Sequence, residues 1–314
     1  MEVMFDLNAN FMDKYKGAQA EYLKYALAVA ISGKLHMVVY GSSVSDYNTI
    51  LRRTCELQPL LSSDEKNTLK RIYACANMPY DSDIRPLRTP HQTASLEGML
   101  GGGVNIASGE VSLAHKGVLF LDNAPEYRTS VLQALRIPME FQTIALSRAG
   151  RHVVYPADFQ LIMSMQCCPC GNLTSKKGPC LCSGHSVELY WRKVSAPLFA
   201  RCALRINGDE AKSSKAYTLE TLRKMIARAW KAQYKRQGKL NGEISTYEVD
   251  NHIKFTDDCE SLLGELGVKY TLWQFVEIKK LARTLQDMGQ SSKCVTLSNL
   301  KKACKMYGTL PVEL

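Results

Sequence analysis

The stretch VVYGSSVSDYNTI, Val38 to Ile50, decides the reading of the fold. An apolar, β-branched run predicts a strand over Leu35–Tyr40; Gly41 breaks it, and a helical segment follows. Strand, glycine turn and helix form the layout of a phosphate-binding loop, whose backbone N–H groups close on an anion at the helix N-terminus. A working loop reads G-x-x-x-x-G-K-[ST]. Here Gly41 holds the first position, but Asp46 stands for the second Gly, Tyr47 for the Lys and Asn48 for the hydroxyl residue. The layout without its chemistry is either a phosphate loop that has lost its function or a chance likeness, and the rest of the chain decides between them.

Upstream, Leu23, Leu27 and Ala30 recur at helical spacing in Ala20–Gly33. Downstream, the run to Met78 predicts two helices parted by Pro59 and a Ser62–Ser63 cap. The glycines of TASLEGMLGGGVNIASGEVSL predict an irregular segment. GVLFLDN is a buried parallel strand ending in a carboxylate, and EYRTSVLQALRIPME a helix up to Pro138. QTIALSRAGRHVVYPADF alternates as a hairpin about Ala149–Gly150, and QLIMSMQ is a further buried strand. Past Gly208 the pattern turns helical, over Thr218–Gln237, Thr246–Leu266, Leu272–Met288 and Leu297–Met306. These patterns divide the chain into an α/β part, 1–208, and a helical part, 209–314.

The 314 residues suffice for one large or two moderate domains. No apolar run approaches the ~18 residues needed to span a bilayer. The N-terminus lacks the basic-then-apolar pattern of a signal peptide, so a soluble cytoplasmic protein without a membrane partner is expected. Residues 1–150 hold 15 Lys/Arg against 15 Asp/Glu, so the net charge of +10 lies wholly in the second half. Such asymmetry suits a polyanion such as DNA, or simply a solvated basic face. In Thr221–Lys239, Lys224, Arg228, Lys231, Lys235 and Lys239 form a basic stripe beside Trp230 and Tyr234. A phosphate-contacting helix has this composition, and so does a lid helix with aromatics packed inward.

Cysteine usage points to a local site. There are 11, an odd number, and five lie between Cys167 and Cys182. CCPCGNLTSKKGPCLC separates Cys168-x-Cys170 from Cys180-x-Cys182 by nine residues. Four thiolates are the right count for tetrahedral zinc, although one spacer residue strains each pair. Lys176 and Lys177 would offset the charge of such a centre, with Cys167 and His185 as spare ligands. Reduced, metal-free thiols are the competing reading.

RPLRTPHQTASLEGMLGGG, GEVSLAHKGVLFLDNAPEYRTSVLQALRIPME, LSRAGRHVVYPADFQLIMSMQCCPCG and SAPLFAR follow one another in a fixed order, and KKLARTLQDM lies near the end. Together they closely resemble the magnesium-chelatase-like AAA+ ATPases, in the ComM/YifB competence-associated branch. The likeness runs from about Asp13 to Met306. It implies an AAA+ P-loop NTPase-type parallel sheet domain followed by an all-helical lid, working as a ring oligomer. It also implies a relation to ATP-driven DNA branch-migration helicases. Members usually carry a Lon-protease-like domain ahead of this module, so a truncated or split form is expected.

By this resemblance the loop is a relic rather than a chance likeness. Gly41, Ser45, Tyr47, Asn48 and Thr49 occupy the nucleotide loop, and Val44 stands where the family has Gly. Val44 and Asp46 disfavour the backbone that Gly permits. Asp46 would face a polyphosphate with a repulsion of about 4 kcal/mol at ~4 Å. Asp122 corresponds to the Mg²⁺-supporting carboxylate, but Asn123 replaces the Glu that polarises the attacking water. Gln166 replaces the γ-phosphate sensor Asn, Trp273 the lid's sensor Arg, and Ala200 the Asp before Arg201. Arg148 and Arg201 resemble arginines that face a nucleotide, some of them the neighbour's, or else make interface ion pairs. The expectation is ATP/Mg²⁺ binding that is weak or lost, and a ring shared with an intact AAA+ paralogue.

Overall fold

Five short runs build one parallel sheet: β1 (His36–Tyr40), β2 (Leu87–Arg88), β3 (Val118–Leu121), β4 (Gln160–Met165) and β5 (Cys202–Asn207). Their order is β2-β3-β4-β1-β5. The computed structural model describes residues 3–310 apart from 43, 149, 175–177, 211, 290 and 291. β3 and β4 are fully buried, which is why they appear in the sequence as unbroken apolar runs. β1 lies between β4 and β5, with Tyr40 opposite Met165 on one side and Asn207 on the other. The segments after β1, β3, β4 and β5 therefore emerge along one edge, at the strands' carboxyl ends. Ligands bind there in open α/β sheets.

The Ala18–Gly33 helix precedes β1 and is almost wholly buried. It packs between the sheet and the helices Leu219–Gln237 and Leu272–Met288. Among those helices Asp287, fully buried, accepts from Arg283 at 2.6 Å and Arg236 at 2.9 Å. A buried carboxylate is tolerated because both partners are guanidinium groups. The Leu297–Tyr307 helix packs on Leu272–Met288 and on β5. The molecule is thus a parallel-sheet α/β core followed by helices. No described helix is long and apolar enough to cross a membrane.

Several expectations need correction. The glycine-rich segment is ordered: helix Leu96–Leu100, a hairpin pairing Gly101–Gly102 with Ala107–Ser108, then helix Glu110–Leu113. Gly101 has φ +101°, and a Cβ there would meet the Ala107 carbonyl at 2.6 Å, so glycine enables the hairpin. Pro138 does not end its helix. It sits in the first turn of Arg136–Phe141, where its missing N–H costs nothing. The Thr246–Leu266 helix is broken: Lys254–Phe255 pairs in parallel with Cys294–Val295, and the helix proper is Glu260–Lys269. Helices Gly184–Arg192 and Ala196–Ala200 and strand β5 complete the core.

Candidate functional site: the loop after the first strand

The loop after β1 leads into helix Val44–Leu51, as a phosphate loop should. Ser43, and the side chains of Val44 and Ser45, lie outside the described residues. Asp209, just beyond β5, reaches into this loop. Its carboxylate accepts the Ser42 backbone N–H at 2.8 Å and the Ser42 hydroxyl at 2.9 Å. It also accepts the Tyr47 hydroxyl at 2.8 Å and the Thr174 hydroxyl. Burial pushes this carboxyl up, but the Thr174, Ser42 and Tyr47 donors outweigh it and hold it below the usual Asp range. Burial, then the Asp209 bond, raises the Tyr47 phenol, which remains a donor.

Tyr47 is also a packing residue of the loop. Its ring is 3% exposed and lies over two glycines. A Cβ on Gly41 would approach Tyr47 Cε2 to 2.9 Å, and one on Gly208 to 2.3 Å. Gly208 is fixed there because its N–H donates to the Tyr40 carbonyl at 2.8 Å. Beside Tyr47 opens a recess of about 510 Å³, lined in part by Lys16, Gln19, Asp46 and Lys212. Asp46 is exposed at this rim.

The carboxylate after β3 is satisfied by the protein in the same way. Asn48 Nδ2 donates to Asp122 at 2.6 Å and Arg52 at 2.8 Å, with Ser164 at 3.3 Å. The Arg52 guanidinium is the cation that pairs with this carboxylate. Thr49 shares the adjoining recess with Asn48, Arg52, Arg53 and Asp122. Asn123 takes a left-handed backbone, φ 54°, and accepts from the Tyr190 hydroxyl at 3.3 Å. Gln166 lies against Gly171, at the turn that opens the cysteine segment.

The two arginines stand apart from these recesses. Arg148 is exposed beside the tip of the hairpin Thr143–Arg148/Arg151–Pro156, opposite Arg151. Arg201 donates to Glu140 at 2.7 Å and lies 4.9 Å from the Trp273 ring. Arg201, Glu140 and Trp273 line a separate cleft of about 360 Å³ that also holds Lys34, His36 and Glu277.

Cys168, Cys170, Cys180 and Cys182 converge, with all four Sγ atoms within 4.8 Å of one another. Sγ–Sγ distances of 3.4, 3.7 and 3.7 Å approach the ~3.8 Å edge of a tetrahedron with 2.3 Å Zn–S bonds. Gly171, at φ 77°, makes the tight turn after Cys170. The Asn172 backbone N–H, then the Cys168 and Cys182 thiols, hold the Cys170 thiol below the ordinary cysteine range. Neither proposed spare joins the cluster. Cys167 is buried with its Sγ 3.2 Å from Thr174 Oγ1, and burial pushes its thiol up to about 11. His185 is exposed and outside the group. Lys176 and Lys177 lie outside the described residues.

The basic stripe is only partly a free surface. Trp230 is 7% exposed and donates to the Ile31 carbonyl at 3.1 Å; Tyr234 packs beside it. Both aromatics face the core. Lys224 pairs with Glu220, Lys239 with Glu248, and Arg228 caps the Met288 and Gly289 carbonyls. Lys231 and Lys235 are exposed.

Strand order, loop placement and helical region define an AAA+ domain with a helical lid. The chain belongs to the magnesium chelatase family: residues 12–216 match the subunit ChlI family and 217–306 its C-terminal family. It is 32% identical over 279 residues to YifB of Salmonella typhimurium, covering 84% of this chain and 54% of that protein. Escherichia coli YifB is 31% identical over 294 residues, covering 89% and 57%. The competence protein ComM of Haemophilus influenzae is 28% identical over 285 residues, covering 85% and 55%. The chain spans about half the length of these relatives.

Proposed function

We propose that this chain is an ATPase-deficient member of the ComM/YifB-like branch, acting through assembly with an intact family member and through DNA rather than through nucleotide turnover. One observation supports the reading: Asp209 accepts the Ser42 N–H and the Tyr47 hydroxyl, an arrangement we read as filling the phosphate position, with Tyr47 in place of the loop lysine. A triphosphate would have to displace a carboxylate while gaining no ammonium. Asn123 adds a second deficit, since an amide cannot take a proton from water. The rival, an active ATPase with an unusual loop, requires both obstacles to be overcome.

The test is a fluorescent ATP analogue titrated with Mg²⁺ and followed by anisotropy. No binding is expected at cellular ATP concentrations; a dissociation constant in the low micromolar range overturns the reading. Ring assembly, usual for AAA+ proteins, would bring Arg148 or Arg201 to a neighbour's nucleotide. Adding the chain to an intact family member should then raise its ATPase rate, and R148A or R201A should remove the gain.

A second reading concerns the cysteine cluster, which we assign to a structural zinc ion held by Cys168, Cys170, Cys180 and Cys182. The count, soft donors and near-tetrahedral spacing support it. Protein purified without chelator should contain one zinc per chain, lost in C168A/C180A. Less than about a tenth of an equivalent after growth with added zinc decides against the site.

A further inference from the structure

We propose that the cysteine turn, when it holds its metal, latches Asp209 into the phosphate position through Thr174, so that metal occupancy governs whether that position is filled from within. The inference rests on the zinc reading above and deepens the account of the filled loop.

Thr174 lies between the two cysteine pairs. Its hydroxyl donates to Asp209 Oδ2, while its oxygen stays 3.2 Å from Cys167 Sγ. The same Oδ2 accepts the Ser42 backbone N–H, so one carboxylate oxygen joins the cysteine segment to the nucleotide loop. The N-terminal end of the segment is anchored to the sheet edge. The Cys167 carbonyl accepts from Trp191 Nε1 at 2.9 Å, and Trp191, fully buried, meets Tyr40 at the end of β1 edge-on at 5.2 Å. Gly171 N–H closes the next turn onto the Cys168 carbonyl at 3.0 Å.

The Asn172 backbone N–H bonds the Cys170 thiol, and among the described residues Asn172, Leu173 and Thr174 make no backbone–backbone hydrogen bond outside helices and strands. Ligation of both cysteine pairs would fix the ends of this loop and remove most of the conformational freedom that otherwise opposes the Thr174 contact. Loss of the metal would free the loop, withdraw one donor from Asp209 and loosen the carboxylate's hold on Ser42. Zinc removal and loop opening are thereby linked through a side chain that is not a ligand.

The experiment is hydrogen exchange on the whole chain, reading peptides that cover 41–47 and 178–192, with zinc measured in parallel by a chromogenic chelator. In the wild-type protein, chelation should raise exchange in both peptides. Thr174→Val should keep one zinc per chain and leave the cysteine peptide protected, yet raise exchange at 41–47 about tenfold, the scale of one charge-assisted hydrogen bond. Thr174→Ser should restore protection. Chelating the Thr174→Val protein should add nothing further at 41–47. The inference falls if chelation opens the cysteine turn without changing 41–47, if Thr174→Val exchanges like wild type, or if the wild-type chain takes up no zinc. ATP-analogue binding by the zinc-loaded wild type would refute the proposed deficiency separately, with the exchange results still readable.

Discussion

Gly208→Ala tests whether Tyr47 is a fixed structural plug. The new Cβ would lie 2.3 Å from Tyr47 Cε2 and 2.5 Å from Cζ, far inside contact distance. Gly208 has no positive φ, so an alanine backbone is unstrained and the cost is steric. The ring cannot swing away freely, because its hydroxyl is bonded to Asp209. Overpacking costs about 1–3 kcal/mol, and a displaced hydrogen bond to a carboxylate about 1.5–3 kcal/mol. The two are alternative ways of relieving one clash, so we expect about 2–3 kcal/mol in total. At ~2–4 °C per kcal/mol, the thermal midpoint should fall by roughly 5–10 °C. Gly41→Ala, with its nearest contact at 2.9 Å, should cost less. The control is Tyr47→Ala, which removes the ring: in that background Gly208→Ala should cost at least about 1 kcal/mol less than in wild type. Urea denaturation followed by circular dichroism measures all four proteins. Costs additive to within about 0.5 kcal/mol would refute the packing of Tyr47 on Gly208.

Stability should fall as pH drops from about 6.5 toward 4. His115 Nδ1 accepts the Asp158 N–H at 3.1 Å and His36 Nδ1 the Leu161 N–H at 3.0 Å, so a proton there would displace a backbone donor. Burial lowers His115 to about 4 and, with Lys280 and Lys34 adding to it, His36 to about 3, against 6.5 when unfolded. The unfolded chain therefore binds protons first, and stability present above pH 6.5 is lost below it. H115N, which keeps an acceptor, should flatten the fall in urea midpoint; an unchanged pH profile would contradict this. For DNA, Lys231→Glu with Lys235→Glu should weaken a sequence-indifferent affinity that falls steeply with salt, measured by anisotropy on labelled duplex. Affinity indifferent to salt or to both charges would leave the excess charge as a solvated surface.

The sequence exposes those features that depend on neighbours along the chain. β1, β3 and β4 are legible because a strand buried on both faces needs a continuous apolar run. β5 is not, because CALRIN contains Arg205, buried over the Tyr307 ring at 3.9 Å and bonded to the Phe199 carbonyl. A cation inside a strand is intelligible only once its aromatic cover, from the last helix, is in place. The cysteine cluster is legible through its spacing. Trp230 and Tyr234 are ambiguous in sequence, since four residues apart gives one face and not its direction. Asp209 is missed altogether. It meets Ser42 across a separation of 167 residues, and only the adjacency of β1 and β5 brings them together.

Tyr47, Gly208, Asp209 and Thr174 make sense only as a set. If the loop no longer binds phosphate, as proposed, its converging donors lack an acceptor, and each one buried and unpaired costs about 1–3 kcal/mol. Removing the lysine alone would leave that deficit. Asp209 supplies the missing acceptor, but a carboxylate at this point needs neutral donors or a cation. Tyr47 and Thr174 supply hydroxyls without a charge that would still attract a polyphosphate. Gly208 then gives the ring room to lie across the strand end. At the neighbouring position Arg52 and Asn48 hold Asp122, where a cation would otherwise be needed. On the proposed reading, an internal carboxylate and an internal guanidinium stand in for an anion and a cation that would otherwise come from solution, and the AAA+ edge keeps its shape without nucleotide.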